Sequence, residues 1–248
     1  MSTILITGAS SGLGAEMARQ FAAKGHDLAL CARRTDRLEE LRDEILAVQP
    51  GRRVELRALD VNDDAQVFEV FRAFRDDLGG LDRVVVNAGL GKGAPLGTGH
   101  HGVNRETAMT NFVAALAQAE AAMEIFRAQG TGHLVLVSSM SAMRGMPKSM
   151  TVYAATKAGV SALAEGIRSD LWDTPIRVTA VQPGYVRTSL AGQFPNLLFT
   201  SGLERGTRAV VRAIEREPAR AHVPAWPWAG LAWPMRLAPL GLYRRIAG

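Results

Sequence analysis

A chain of 248 residues, 47% hydrophobic and 21% charged with 25 glycines, is long enough for one α/β domain with a full core. It excludes a disulfide miniprotein, a low-complexity chain and a coiled coil. The net charge of +5 would suit a nucleic-acid binder, but nearly all the basic residues are arginines interleaved with acids, as in 33–44, which reads as solvated helix faces.

Six short β-rich runs, 3–7, 27–32, 53–58, 83–87, 133–138 and 177–182, alternate with helical patterns over 12–24, 35–48, 63–78, 104–129 and 151–172. The second helical segment sets Leu38, Leu41, Ile45 and Val48 on one stripe, and Gln49, Pro50 and Gly51 stop it. Strand and helix alternating in this way predict a single-domain, doubly wound parallel sheet of about seven strands with helices on both faces, a Rossmann fold. One domain spans 1–248: a cofactor-binding and catalytic core over 1–188, a substrate lid region over 189–217, and a C-terminal strand and tail over 218–248. The single Cys31 forms no internal disulfide, so a reducing cytoplasm is expected. The sequence offers no signal peptide and no membrane-spanning run.

The first strand runs into Thr7, Gly8, Ala9, Ser10, Ser11, Gly12, Leu13 and Gly14. Glycines there let the chain turn sharply and bring its backbone close to a pyrophosphate at a helix N-terminus, where free N–H groups and the dipole favour an anion. Glycines also close ordinary turns, so the position after the first strand is what points to a dinucleotide. The second strand ends in Ala32, Arg33 and Arg34 with no acid. Two guanidiniums suit the 2′-phosphate of NADP(H), where an NAD site places a carboxylate; the alternative is that they only begin an exposed helix.

Tyr153 and Lys157 stand four apart at a helix start, so phenol and ammonium share a face. A nearby cation favours phenolate, and the pair is expected to lower the Tyr153 pKa and exchange a proton with a hydroxyl or carbonyl. The fifth strand ends in Ser138 and Ser139, at the carboxyl edge where open α/β sheets take ligands. His100 and His101 are adjacent in a glycine-rich loop; neighbouring side chains converge poorly on an ion, and no metal site is expected.

Together these residues resemble the short-chain dehydrogenase/reductase family, in its NADP(H)-preferring form. Thr7 to Gly14 follow the TGxxxGxG turn, Asp60 and Val61 the adenine contact, Asn87, Ala88 and Gly89 the NAG motif, and Tyr153 and Lys157 the YxxxK pair. Pro183 and Gly184 with Val186 and Thr188 follow the segment beside the nicotinamide. The resemblance implies an NADP(H)-dependent carbonyl/alcohol oxidoreductase with catalytic Asn111, Ser139, Tyr153 and Lys157. Its cofactor contacts would be Gly8, Ser10, Ser11, Gly12, Leu13, Gly14, Arg33, Arg34, Asp60, Val61, Asn87, Ala88, Gly89, Tyr153, Lys157, Pro183, Gly184, Val186 and Thr188. Tyr153 would be the acid/base, Lys157 would lower its pKa and hold the ribose, Ser139 would orient the carbonyl, and Asn111 would support a relay water. The family usually sets its serine thirteen residues before the tyrosine, where this chain has Met140; Ser139 is preferred because the strand end fixes it, with Ser141 as the fallback. A non-catalytic NADP(H)-binding sensor on the same fold is the alternative, and the intact four residues argue against it.

The resemblance also implies an apolar lid over 190–203, including Phe194, Leu197, Leu198 and Phe199, for a hydrophobic small-molecule substrate. A homodimer or homotetramer would form through 104–129 and the helix at Thr151. From Ala221 onward there are no acids, three arginines and three of the four tryptophans, and five prolines fall between Pro218 and Pro239. Those prolines are expected to interrupt any long amphipathic helix. Packing or oligomerisation is therefore favoured for the tail over contact with a membrane surface.

Overall fold

Each strand sends alternate side chains to opposite faces of the sheet, and here both faces are apolar, as a parallel sheet covered on both sides requires. The computed structural model describes residues 2–187 and 199–241. Seven strands, β1 (Thr3–Thr7), β2 (Asp27–Ala32), β3 (Val54–Ala58), β4 (Arg83–Val86), β5 (His133–Val137), β6 (Arg177–Pro183) and β7 (Arg220–Val223), form one parallel sheet in the order β3-β2-β1-β4-β5-β6-β7. The helices are α1 (Gly12–Ala23), α2 (Thr35–Val48), α3 (Asp64–Leu78), α4 (His101–Ala108), α5 (Ala114–Gln129), α6 (Thr151–Asp170), α7 (Leu203–Arg216) and α8 (Ala225–Leu237).

Ile4, Ile6, Leu28, Leu30, Val85 and Val135 face Met17 and Phe21 of α1, Leu38 and Ile45 of α2, and Val211 and Ile214 of α7. Leu5, Ala29, Val84, Val86, Leu134 and Leu136 face Phe71 and Phe74 of α3, Phe126 of α5 and Val160 of α6. A one-residue slip of any central strand would exchange these two sets, so the register is strongly specified. The strand order reverses between β1 and its neighbours β2 and β4, which opens a crevice at their carboxyl ends.

One predicted element differs. The helix expected over 104–129 is broken by a π-helical turn at Met109–Val113, between α4 and α5; a π-turn is a local widening that no hydrophobic period announces. The tail carries the short helix α8, kinked at Trp226. Pro227 lies in its first turn, where a missing N–H costs little, and Pro234 lies inside it. The helix α7 was also not read from the sequence, although Val210, Val211 and Ile214 are buried along it. Among the described residues no helix is long and apolar enough to cross a membrane.

Candidate active site

Thr7 closes β1 and organises the crevice: its Oγ1 accepts from the backbone N–H groups of Asn87 (3.1 Å) and Ala88 (3.2 Å), while Asn87 Nδ2 donates to the Thr7 carbonyl at 3.0 Å. The ends of β1 and β4 are thereby locked together, and the glycines fill the space left. Gly8 has φ +64°, and a Cβ there would stand 2.9 Å from Ala88 Cα; at Gly14 it would stand 2.4 Å from the Gly8 carbonyl oxygen. Any side chain at Gly14 would force the turn off the start of α1, whose N-cap is Ser11.

From this turn one cleft of about 420 Å3 runs along the carboxyl edge of the sheet. Its first part is lined by Gly8, Ser10, Ser11, Gly12 and Leu13, by Arg33 and Arg34, and by Asp60 and Val61. Arg34 Nη2 donates to Ser10 Oγ at 3.0 Å and to Ser11 Oγ at 2.9 Å. Arg33 is exposed at the cleft edge. This is a cradle with open backbone at one corner and two cations at the next, fitting a dinucleotide that carries an extra phosphate. Cys31 is buried beneath it, and burial pushes its thiol up, so it supplies no nucleophile there.

The other part of the cleft is lined by Asn87, Ala88 and Gly89, then Ser139, Tyr153 and Lys157, then Pro183, Gly184 and Val186. Ser139 follows β5, and Tyr153 and Lys157 lie in the first two turns of α6. The Ser139 side chain stands beside Tyr153, and its hydroxyl accepts from the Ser141 backbone N–H at 3.1 Å. Of the neighbouring serines, Ser138 Oγ donates to the Lys157 carbonyl at 2.7 Å, and Ser141, itself buried, also lines the cleft. Lys157 is only 6% exposed, and its Nζ donates to the Val137 carbonyl at 2.8 Å. Burial lowers its pKa to about 8.

One sequence expectation changes here. Tyr153 was expected to have a lowered pKa beside Lys157. Burial instead raises it, and only the Ser139 side chain acts downward. The reason is geometric, since Lys157 Nζ is engaged by Val137 and lies 6.0 Å from the Tyr153 ring centroid. The Asn111 side chain is committed to the loop after β4: Nδ2 donates to the Leu90 carbonyl at 2.8 Å, and Oδ1 accepts from the Leu90 N–H at 2.7 Å. It lies in the π-turn, 1% exposed, behind the cleft wall rather than on it. Gly89 brings the two groups together, because a Cβ there would stand 3.2 Å from Asn111 Oδ1 and 3.5 Å from Lys157 Nζ.

Thr188, Phe194, Leu197 and Leu198 lie outside the described residues. His100 and His101 are exposed around the start of α4, away from the cleft lining. The sequence reading missed Asn62, Leu90, Thr110, Met150 and Tyr185, which also line the cleft. Of these, Tyr185 had a signal, standing directly after Pro183 and Gly184. The role of Trp228 had none. It is buried, with its ring edge-on to Tyr185 at 5.4 Å, and it packs with Met140, Met143 and Leu231 behind the tyrosine wall. A Cβ on Gly184 would stand 2.0 Å from Trp228 Nε1. The tail therefore buttresses the site.

The family profile described as short chain dehydrogenase matches residues 2–196. The chain belongs to the short chain dehydrogenase family. An uncharacterized oxidoreductase of Mycobacterium tuberculosis is 51% identical over 244 residues, covering 98% of this chain and 96% of that protein. Among solved structures, a short-chain dehydrogenase from Sphingobium yanoikuyae in complex with NADPH is 29% identical, with TM-score 0.83 over 98% of this chain and 96% of that one. A bulky-bulky ketone specific alcohol dehydrogenase from Comamonas testosteroni is 27% identical, with TM-score 0.80 over 94% and 92%. Family membership extends through the glycine turn, the serine and the tyrosine-lysine pair, while α8 falls beyond the matched residues.

Proposed function

We propose that this chain is an NADP(H)-dependent oxidoreductase interconverting a carbonyl and a secondary alcohol on a hydrophobic small molecule. The observation that carries the reading is one cleft with the glycine turn and two arginines at one end and Ser139, Tyr153 and Lys157 at the other. Gly8, Ser10 to Gly14, Asp60, Val61, Asn87 to Gly89 and the Pro183, Gly184 and Val186 segment would hold the cofactor, with Arg33 and Arg34 toward the 2′-phosphate. When bound, the nicotinamide supplies or accepts the hydride.

The chain's own residues manage the proton. Ser139 donates a hydrogen bond to the substrate oxygen, and Tyr153 gives that oxygen its proton during reduction or takes it during oxidation. A phenol kept protonated by burial is suited to the first role, and the cationic Lys157 favours the phenolate left when that proton has gone. Asn111 and Gly89 position Lys157 by fixing the Leu90 backbone. With the Asn111 amide engaged, a relay water would take a backbone carbonyl of the π-turn. Met150 and Tyr185, with Trp228 behind, supply an apolar wall for the substrate. The exposed Val113 of the π-turn and Leu116 of α5 support a homo-oligomer through this segment.

The test is NADPH oxidation measured with a panel of ketones from small to bulky. Tyr153→Phe should lower turnover about 10²–10⁴-fold while NADPH affinity, measured by fluorescence titration, stays within about threefold. Tight NADPH binding with no turnover across the panel would instead make the chain a cofactor sensor.

A further inference from the structure

The helix α8 has two apolar faces, and only one has a partner. Trp228 and Ala232 turn inward on Met140 and Tyr185. On the outside, Trp226 is 83% exposed, Trp233 68% and Leu237 72%, and Leu240 just beyond the helix is exposed as well. Solvated globular surfaces seldom leave two tryptophans and two leucines together in water.

The charges beside the start of this helix are mostly basic. Arg205, Arg208 and Arg212 of α7, with the single acid Glu204, line a surface depression together with Pro224, the N-cap of α8. Arg208 pairs with Glu204, whereas Arg205 and Arg212, and Arg236 on α8, have no carboxylate partner among the described residues. The sequence carries no acid from Ala221 to Gly248. We propose that the outer face of α8 and the arginine row of α7 form a docking surface for an anionic lipid bilayer. Tryptophan favours the boundary between headgroups and acyl chains, and the arginines match anionic headgroups.

Charge also decides against a second copy of the chain as the occupant. A two-fold contact would set the same face against itself, bringing arginines toward arginines with no carboxylate on α8 to receive them. No spanning is implied, since the contact is one short helix lying on the surface. Its inner side is the substrate wall, so the bilayer would lie on the substrate side of the protein.

Vesicle flotation of the full chain tests this, with vesicles of equal parts phosphatidylcholine and phosphatidylglycerol against phosphatidylcholine alone. The chain should float with the anionic vesicles at low salt and be released as salt rises. Arg205→Gln/Arg212→Gln/Arg236→Gln should weaken partitioning about 100-fold, and Trp226→Ser/Trp233→Ser/Leu237→Ser should abolish it. Both variants should keep the wild-type melting temperature and NADPH binding. Should the serine variant lose stability, Trp226→Ser alone, at the most exposed position, must still reduce flotation. A wild-type chain that stays down with anionic vesicles, or variants that float as well as it does, overturns the proposal. So does an oligomer that the serine substitutions split in sedimentation velocity, which would make the face a subunit contact.

Discussion

Replacing Lys157 with methionine should remove activity and change stability in a way that reports the cost of keeping a cation in the site. Burial lowers the Lys157 pKa from 10.5 to about 8, a shift of about 2.5 units. At about 1.36 kcal/mol per unit, holding the ammonium at pH 7 costs about 3 kcal/mol relative to the unfolded chain. The Nζ bond to the Val137 carbonyl returns about 1.5–3 kcal/mol, as hydrogen bonds from charged groups do. The Lys157→Met protein at pH 7 should therefore be equal to wild type or up to about 2 kcal/mol more stable, despite losing turnover about 10²-fold or more. The pH dependence is the sharper test. A lysine with a lowered folded pKa binds fewer protons folded than unfolded between pH 8 and 10.5, so wild-type stability rises with pH across that window. Methionine does not titrate, and other groups cancel in the comparison. Urea unfolding of both proteins from pH 7 to pH 9.5 should thus show wild type gaining about 2 kcal/mol on the variant. A gap that stays constant, or one that widens in favour of the variant, would refute the reasoning that Lys157 is a desolvated cation.

Gly184→Ala should be felt through the tail: its methyl would meet Trp228 Nε1 at 2.0 Å, costing about 1–3 kcal/mol by overpacking, and Trp228→Leu in the same chain should recover part of the melting temperature. Arg33→Ser/Arg34→Ser should raise the NADPH Kd about 10–100-fold in calorimetry while leaving the NADH Kd within about threefold, since the loss is of charge-assisted bonds to one phosphate; equal losses for both cofactors would place the arginines elsewhere. His133 is buried against Arg83 and Thr179, and burial followed by the Arg83 charge lowers its pKa from 6.5 to about 3. The folded state then binds fewer protons, so this contribution is whole above pH 6.5 and is lost as pH falls toward 3. Its ceiling is roughly 4–5 kcal/mol, and His133→Gln should flatten the acid limb of the stability curve.

Local patterns announced everything whose chemistry is local. The strand-turn-helix around Gly8 to Gly14, the arginines after β2 and the four-residue spacing of Tyr153 and Lys157 each have a physical meaning within a few residues, and the alternation of strand and helix implied the sheet. The preference for Ser139 over Ser141 rests on the strand end, and both serines line the cleft. Direction and commitment of side chains were not legible. Whether Lys157 points at the phenol or at the Val137 carbonyl, and whether the Asn111 amide is free or engaged by Leu90, depends on groups twenty or more residues away.

The tail shows the same division more fully. Composition alone marked it as acid-free and rich in tryptophan and proline, and left packing, oligomerisation and membrane contact open. Only the tertiary structure separates its residues, because a helix docked at one edge of a sheet gives each position its own surroundings. Trp228 packs against Tyr185 behind the cleft, whereas Trp226 and Trp233, of the same type and a few positions away, face water. Sequence determines which side chains are available and at what spacing; the packing of distant elements decides which of them meet.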